Sequence, residues 1–273
     1  MQWTSLAKYP IAARLALFVL TLLLLWIPFA VPVYRFVADP NWQSILSMSA
    51  LYAEFIVLAR FWGRRVYGIS RVLQRYGLQF SRRFGRDWGS GLLAGLVSLS
   101  LLLLLEGTLG WLAWNPPPGN LIQTVVEGLL VASAVGFAEE LLFRGWLLDE
   151  LERDYRANTA LWANATIFAL LHFIKPWEAI VENLPAFPGL VLLGATLVWA
   201  KRSSGGLLGL PMGFHGGLVW GYYIVNTGQL LNYSGRVPGW VTGLGNNPLA
   251  GVMGMLFLGA IALWMRRRAL VQR

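Results

Sequence analysis

"LALFVLTLLLLWIPFAVPVY" occupies residues 15–34 and carries no charged side chain. As a helix it reaches about 30 Å, the thickness of a bilayer's hydrocarbon core. It is longer than the apolar segment of a secretory signal peptide, and no clear small-residue cleavage site accompanies it. We read it as a retained first membrane span. The rest of the chain agrees: of 273 residues 56% are hydrophobic and only 13% charged, where soluble domains run near a quarter charged. The apolar runs are continuous rather than short and alternating, which argues against a transmembrane barrel. The expected fold is all-α, a polytopic bundle of about eight membrane helices.

Those eight runs lie at about 15–34, 44–62, 89–114, 121–145, 159–174, 187–200, 206–226 and 247–265. Between the second and third, "GRRVYGISRVLQRYGLQFSRRFGRD" carries Arg64, Arg65, Arg71, Arg75, Arg82, Arg83 and Arg86. The excess of Lys and Arg in cytoplasmic loops puts this segment inside. Alternation then places both termini inside, with Lys8, Lys201, Arg202 and the Arg266–Arg268 cluster on the same side. Apolar Val66, Ile69, Val72, Leu73 and Tyr76 recur at near-helical spacing in that loop, so an amphipathic helix on anionic headgroups is expected there; a plain topology anchor is the alternative. "LLDELERDYRAN", 147–158, reads as a charged cytoplasmic connection. The expected division is a three-span region at 1–114 with the basic loop at 63–88, a core at 115–226, and an external loop, last span and basic tail at 227–273.

The net charge of +9 follows from this asymmetry and does not imply a nucleic-acid partner. The chain has no cysteine, which excludes disulfides, thiolate catalysis and Cys-ligated zinc.

"AEELLFRG", 138–145, ends an apolar run, and charge at membrane depth is costly unless paired or functional. On a helix Glu140 and Arg144 are four apart and share a face, so they can pair. Glu139 is turned about 100° away and cannot easily share that arginine. The chain's two histidines, His172 and His215, also fall in predicted spans. Either alone could be an interhelical hydrogen bond. Together with the Glu pair they allow more: a carboxylate and an imidazole can deprotonate water, and a second imidazole can stabilise an oxyanion. Glu139, His172 and His215 also have donors suited to Zn²⁺ with an open fourth position.

The E-E-x-x-x-R at Glu139–Arg144, the F-x-x-x-H at Phe168–His172, and His215 on a later span resemble the three motifs of the CPBP family. That family holds type II CAAX prenyl endopeptidases and bacteriocin-processing or Abi proteins. The resemblance covers roughly residues 120–226, and makes 115–226 the expected catalytic core. It implies an intramembrane glutamate endopeptidase acting on a membrane-associated or lipidated peptide, in the inner membrane of a prokaryotic cell. Glu139 would be the catalytic carboxylate, His172 its partner in activating water, and His215 part of the oxyanion site. Glu140, Arg144 and Phe168 would support them. No cofactor is implied, although zinc stays open. One position departs from the pattern: the family often has Asn or a similar polar residue four positions after the third-motif histidine, and here stands Val219. Asn226 or a backbone N–H near Gly216 would have to substitute. The alternative is a weak or inactive membrane scaffold that serves a protein partner. Glu54, Glu106 and Glu127 in apolar runs raise a third reading, a small transporter, with Glu106 and Glu127 sharing a proton or a wet crevice.

Overall fold

The computed structural model describes residues 3–245 and 247–271. The chain divides into two compact units, Met1–Arg75 and Tyr76–Arg273.

The first unit is a helical hairpin of α1 (Ile11–Phe36) and α2 (Pro40–Tyr67). Asp39 sets the start of α2 by accepting hydrogen bonds from the backbone N–H of Asn41 and Trp42, the usual way an N-cap satisfies the first free donors. Phe18 packs edge-on against Phe55 and Trp62 across the hairpin. Gly68, at φ 69°, ends α2 in the left-handed region that favours glycine. The amphipathic helix expected over the basic loop does not form. One helical turn at Val72–Arg75 follows α2, and Val72 sits against Gly63. Positive-φ Gly68 and Gly77 bracket that turn and break the helical register.

In the second unit α3 (Arg82–Thr108) and α8 (Gly209–Thr227) run parallel and in close contact. Gly91 and Gly95 on α3 meet the backbone of Leu210 and Phe214, while Gly213 and Gly217 on α8 meet the carbonyls of Trp88 and Leu92. Small residues four apart on both helices permit this approach. The other side of α8 packs on an antiparallel α4 (Leu121–Asp154), through Gly136 against Met212 and Gly128 against Tyr223. Between α3 and α4, β1 (Leu112–Trp114) pairs antiparallel with β2 (Leu231–Tyr233), closing the end of the bundle.

The connection expected at 147–158 is largely helix. α4 continues to Asp154 through a π-helical turn at Leu141–Leu147, with Asp149 bonded to Arg153. π-turns within helices are often found at functional sites. α5 (Ala157–Leu171) then returns antiparallel, followed by the short α6 (Trp177–Asn183), α7 (Phe187–Ser203) and α9 (Val252–Val271). Five helical segments among the described residues have the length and apolarity to cross a membrane: α1, α2, α3, α4 and the run Trp177–Ser203. α5 is apolar but short. α8 is not among the five; it lies between α3 and α4, so its glycine-rich faces meet protein rather than lipid.

Candidate functional site

Glu139 and His172 come to one level because of the unexpected length of α4. Each stands fifteen residues from the link at 155–156 that joins α4 to α5, about 22 Å along either helix. Ending the span at 145 would have left His172 too far from Glu139; the continuous helix removes that mismatch. His215 joins them from the second turn of α8, where Gly136 lets α4 approach Met212 and Gly216.

The three side chains converge. Glu139 Oε2 lies 3.9 Å from His172 Nε2 and 3.9 Å from His215 Nε2. That oxygen is buried and has no hydrogen-bond partner. At 3.9 Å neither imidazole bonds it directly, yet both are close enough to share a water with it. The site is open on one side: Glu139 and His172 are about one-third exposed, and His215 is 6% exposed.

Each imidazole is held from behind. His172 Nδ1 sits 2.8 Å from the Phe168 carbonyl. A carbonyl can only accept, so Nδ1 carries the hydrogen and the neutral ring presents a lone pair at Nε2. Phe168, fully buried, also packs against the His172 ring, tilted by 57° with 4.5 Å between centroids. His215 Nδ1 lies 2.9 Å from Glu140 Oε1, and the same oxygen accepts from Arg144 Nη1 at 2.9 Å. Glu140 and Arg144 are fully buried. The Arg144 guanidinium further donates to the Gly194 carbonyl and lies 4.3 Å from the Phe168 ring centroid. Lys201 Nζ donates to the Arg144 carbonyl, and Asn164 Nδ2 to that of Phe143. These links tie the π-turn to α5 and α7.

Sequence reasoning paired Glu140 with Arg144 but missed the contact from Glu140 to His215, seventy-five positions away. It also missed Asn164 and Lys201. A buried Asn and a Lys at a helix end were visible as signals, without a partner to attach them to.

Other singled-out residues fall elsewhere. Asn226 lines a cavity at the far end of α8, with Asn115 and Asn232. α8 is unbroken between His215 and Asn226, so Asn226 does not reach the site. Val219 is half-buried one turn after His215. Glu127 is bonded by Gln123 on its own helix, and Glu106 is fully buried with neither oxygen hydrogen-bonded, so the two share no proton. α8 packs on both their helices. Glu54 is half-buried on α2. Among the described residues no cluster of three His, Asp or Glu has the geometry to hold a metal ion.

Apolar helices around a pocket of one acid and two imidazoles define an integral, multi-pass helical membrane protein with a polar site inside the bundle. Residues 121–233, about two fifths of the chain, match the family model of the type II CAAX prenyl endopeptidase Rce1-like proteins. The matched segment is thus similar to CAAX-protease-type proteins, and it contains all six site residues, Glu139, Glu140, Arg144, Phe168, His172 and His215. No curated protein and no solved structure matches the chain.

Proposed function

We propose that residues 121–233 form the catalytic core of an intramembrane endopeptidase that hydrolyses a peptide bond in a lipidated or membrane-associated chain. One observation carries this reading: the buried, unpartnered Oε2 of Glu139 stands at equal distance from two imidazole Nε2 atoms. A buried polar atom without a partner is rare and costly, and here it is surrounded by the groups that water activation requires.

In this mechanism a water bound at Glu139 Oε2 loses a proton to the carboxylate, with His172 Nε2 orienting it through its lone pair. The hydroxide adds to the scissile carbonyl carbon. His215 donates from Nε2 to the resulting oxyanion. Glu140, with Oε1 2.9 Å from His215 Nδ1, holds the ring in place for that donation. The adduct collapses, the C–N bond breaks, and the proton held by Glu139 passes to the leaving amine. Water and amide are thereby converted to acid and amine. Both ends of the chain face the cytoplasm in this reading, in the inner membrane of a prokaryotic cell, and no cofactor takes part.

The test is cleavage of a prenylated CAAX reporter peptide by the purified protein in proteoliposomes. Removing a general base typically costs about 10²–10⁴-fold, so Glu139→Gln and His172→Ala should each lose at least that lower figure with the melting temperature unchanged. Full turnover by either variant removes the assignment. Val219 favours a second reading, in which the pocket is kept but a donor to the oxyanion is lacking and the protein serves as a membrane scaffold.

A further inference from the structure

A crevice away from the Glu139 site combines cationic and apolar linings in the order of an amphiphile. At the α7 end that carries Lys201 and Arg202, a cavity of about 460 Å³ lies between α5, α7 and α9. Asn158, Trp162, Trp199, Arg202 and Arg266 line it. Beside it a groove of about 490 Å³ runs along α7 and α9. It is lined by Leu192, Met255, Leu256, Gly259 and Leu263, and it shares Trp199 and Arg266 with the cavity. Volumes of this size suit a small ligand or a lipid chain.

The arginines retain capacity. Arg202 is fixed through Nη2, which donates to Glu152 Oε1 at 2.8 Å and to the Ala157 carbonyl at 2.7 Å. A guanidinium has five N–H donors, so Nε and Nη1 are left for another acceptor. Arg266 is exposed and has no ion pair among the described residues. Glu152, the carboxylate seen bonded here among the described residues, takes one nitrogen of one arginine. Arg202 and Arg266 therefore make the mouth of the cavity cationic. Two arginines suit the planar, bidentate recognition of a phosphate. Trp162 and Trp199 meet edge to face at 6.2 Å, an aromatic pair of the kind found at headgroup level.

We propose that this crevice binds one anionic phospholipid, with its phosphate between Arg202 and Arg266 and an acyl chain in the groove between α7 and α9. Charge complementarity selects an anionic headgroup over a zwitterionic one. Continuity of the groove with the cationic mouth selects a membrane lipid over a free phosphate. The site is independent of the peptidase reading, since none of its residues touches Glu139, His172 or His215.

The experiment is native mass spectrometry of the full chain released from nanodiscs that hold equal amounts of phosphatidylglycerol and phosphatidylcholine. The wild-type chain should retain one phosphatidylglycerol in preference to phosphatidylcholine. Each basic residue near a lipid surface is worth roughly fivefold in binding, so Arg266→Gln should weaken retention by about that factor and the pair Arg202→Gln, Arg266→Gln by more. Arg266 is exposed and unpaired, so its variant should keep the fold. Gly259→Leu probes the groove with the arginines intact: a Cβ there meets open space, and the new side chain should displace the acyl chain and lower retention. Equal retention of the two lipids, unchanged retention in the double arginine variant or in Gly259→Leu, or displacement by soluble glycerol phosphate alone would each overturn the proposal.

Discussion

At the His215 end of α8, Glu140 is buried with Arg144 and His215 both 2.9 Å from one of its oxygens. Towards the other end, on α3, Glu106 is buried as completely but neither of its oxygens has a hydrogen-bond partner. Its titratable neighbour is Tyr233 on β2, whose phenol is pushed up by burial first and then by the Glu106 carboxylate. Both ends therefore bury a carboxylate, and only one gives it hydrogen-bond partners, a guanidinium and an imidazole. A bare buried oxygen is an expense to the fold. It becomes a candidate for chemistry when imidazoles from other helices converge on it, as they do on Glu139 and do not on Glu106.

The first way to break this comparison is to remove the partner that makes the site end affordable. Glu140→Ala leaves the Arg144 guanidinium buried without its carboxylate and frees His215 Nδ1. Breaking a buried pair from one side costs about 3–5 kcal/mol, so the melting temperature in detergent should drop by several degrees at least. Arg144→Met in the same chain should recover part of that loss. An unchanged melting temperature for the single variant would deny Glu140 its structural role.

A smaller effect is expected from the packing that brings His215 to Glu139. A Cβ on Gly213 would collide with the Trp88 carbonyl, so Gly213→Ala must push α8 away from α3. Overpacking of this kind costs about 1–3 kcal/mol. Because Gly213 is two residues from His215, reporter cleavage should fall as well. Gly259→Ala, which meets nothing, is the control: it should leave cleavage unchanged and, since Ala suits a helix interior better than Gly, should not lower the melting temperature.

How much of this was legible follows from sequence separation. The pairing of Glu140 with Arg144 is set by helical geometry over four residues, and any reader of "EELLFR" can place it. The apolar runs fix an all-helical membrane fold for a similar reason. The contact from Glu140 to His215 depends on how α8 lies against α4, which glycines at 128, 136 and 216 decide, and no local pattern reports it. The continuation of α4 to Asp154 was hidden because "LDELERD" is charged. Charge was read as solvent, whereas Asp149 bonds Arg153 within the helix and Glu152 bonds Arg202 from α7. The basic loop misled in the opposite direction: its apolar spacing suggested one helix, but Gly68 and Gly77 interrupt it.

Within the site, Val219 sharpens the comparison further. Losing an oxyanion donor costs about 10²–10³-fold in rate. A side-chain amide introduced one turn after His215 restores a donor without designed geometry, so Val219→Asn should raise reporter cleavage by about tenfold rather than by the full factor. No gain, together with copurification of a fixed membrane partner, would favour the scaffold reading.

The smallest effect is expected at the other end of the bundle. If Glu106 is only an expense to the fold, an apolar residue of similar size should relieve it. Burying a polar group without a hydrogen bond costs about 1–3 kcal/mol in proteins, and Leu restores part of that while filling the space. Glu106→Leu should therefore raise the melting temperature slightly and leave peptide cleavage unchanged. The transporter reading makes the opposite demand, because there Glu106 would carry the proton. Loss of ion flux in proteoliposomes on this substitution, with no gain in stability, would show that the far end of α8 has a chemistry of its own and that convergence with histidines is not what separates the two carboxylates.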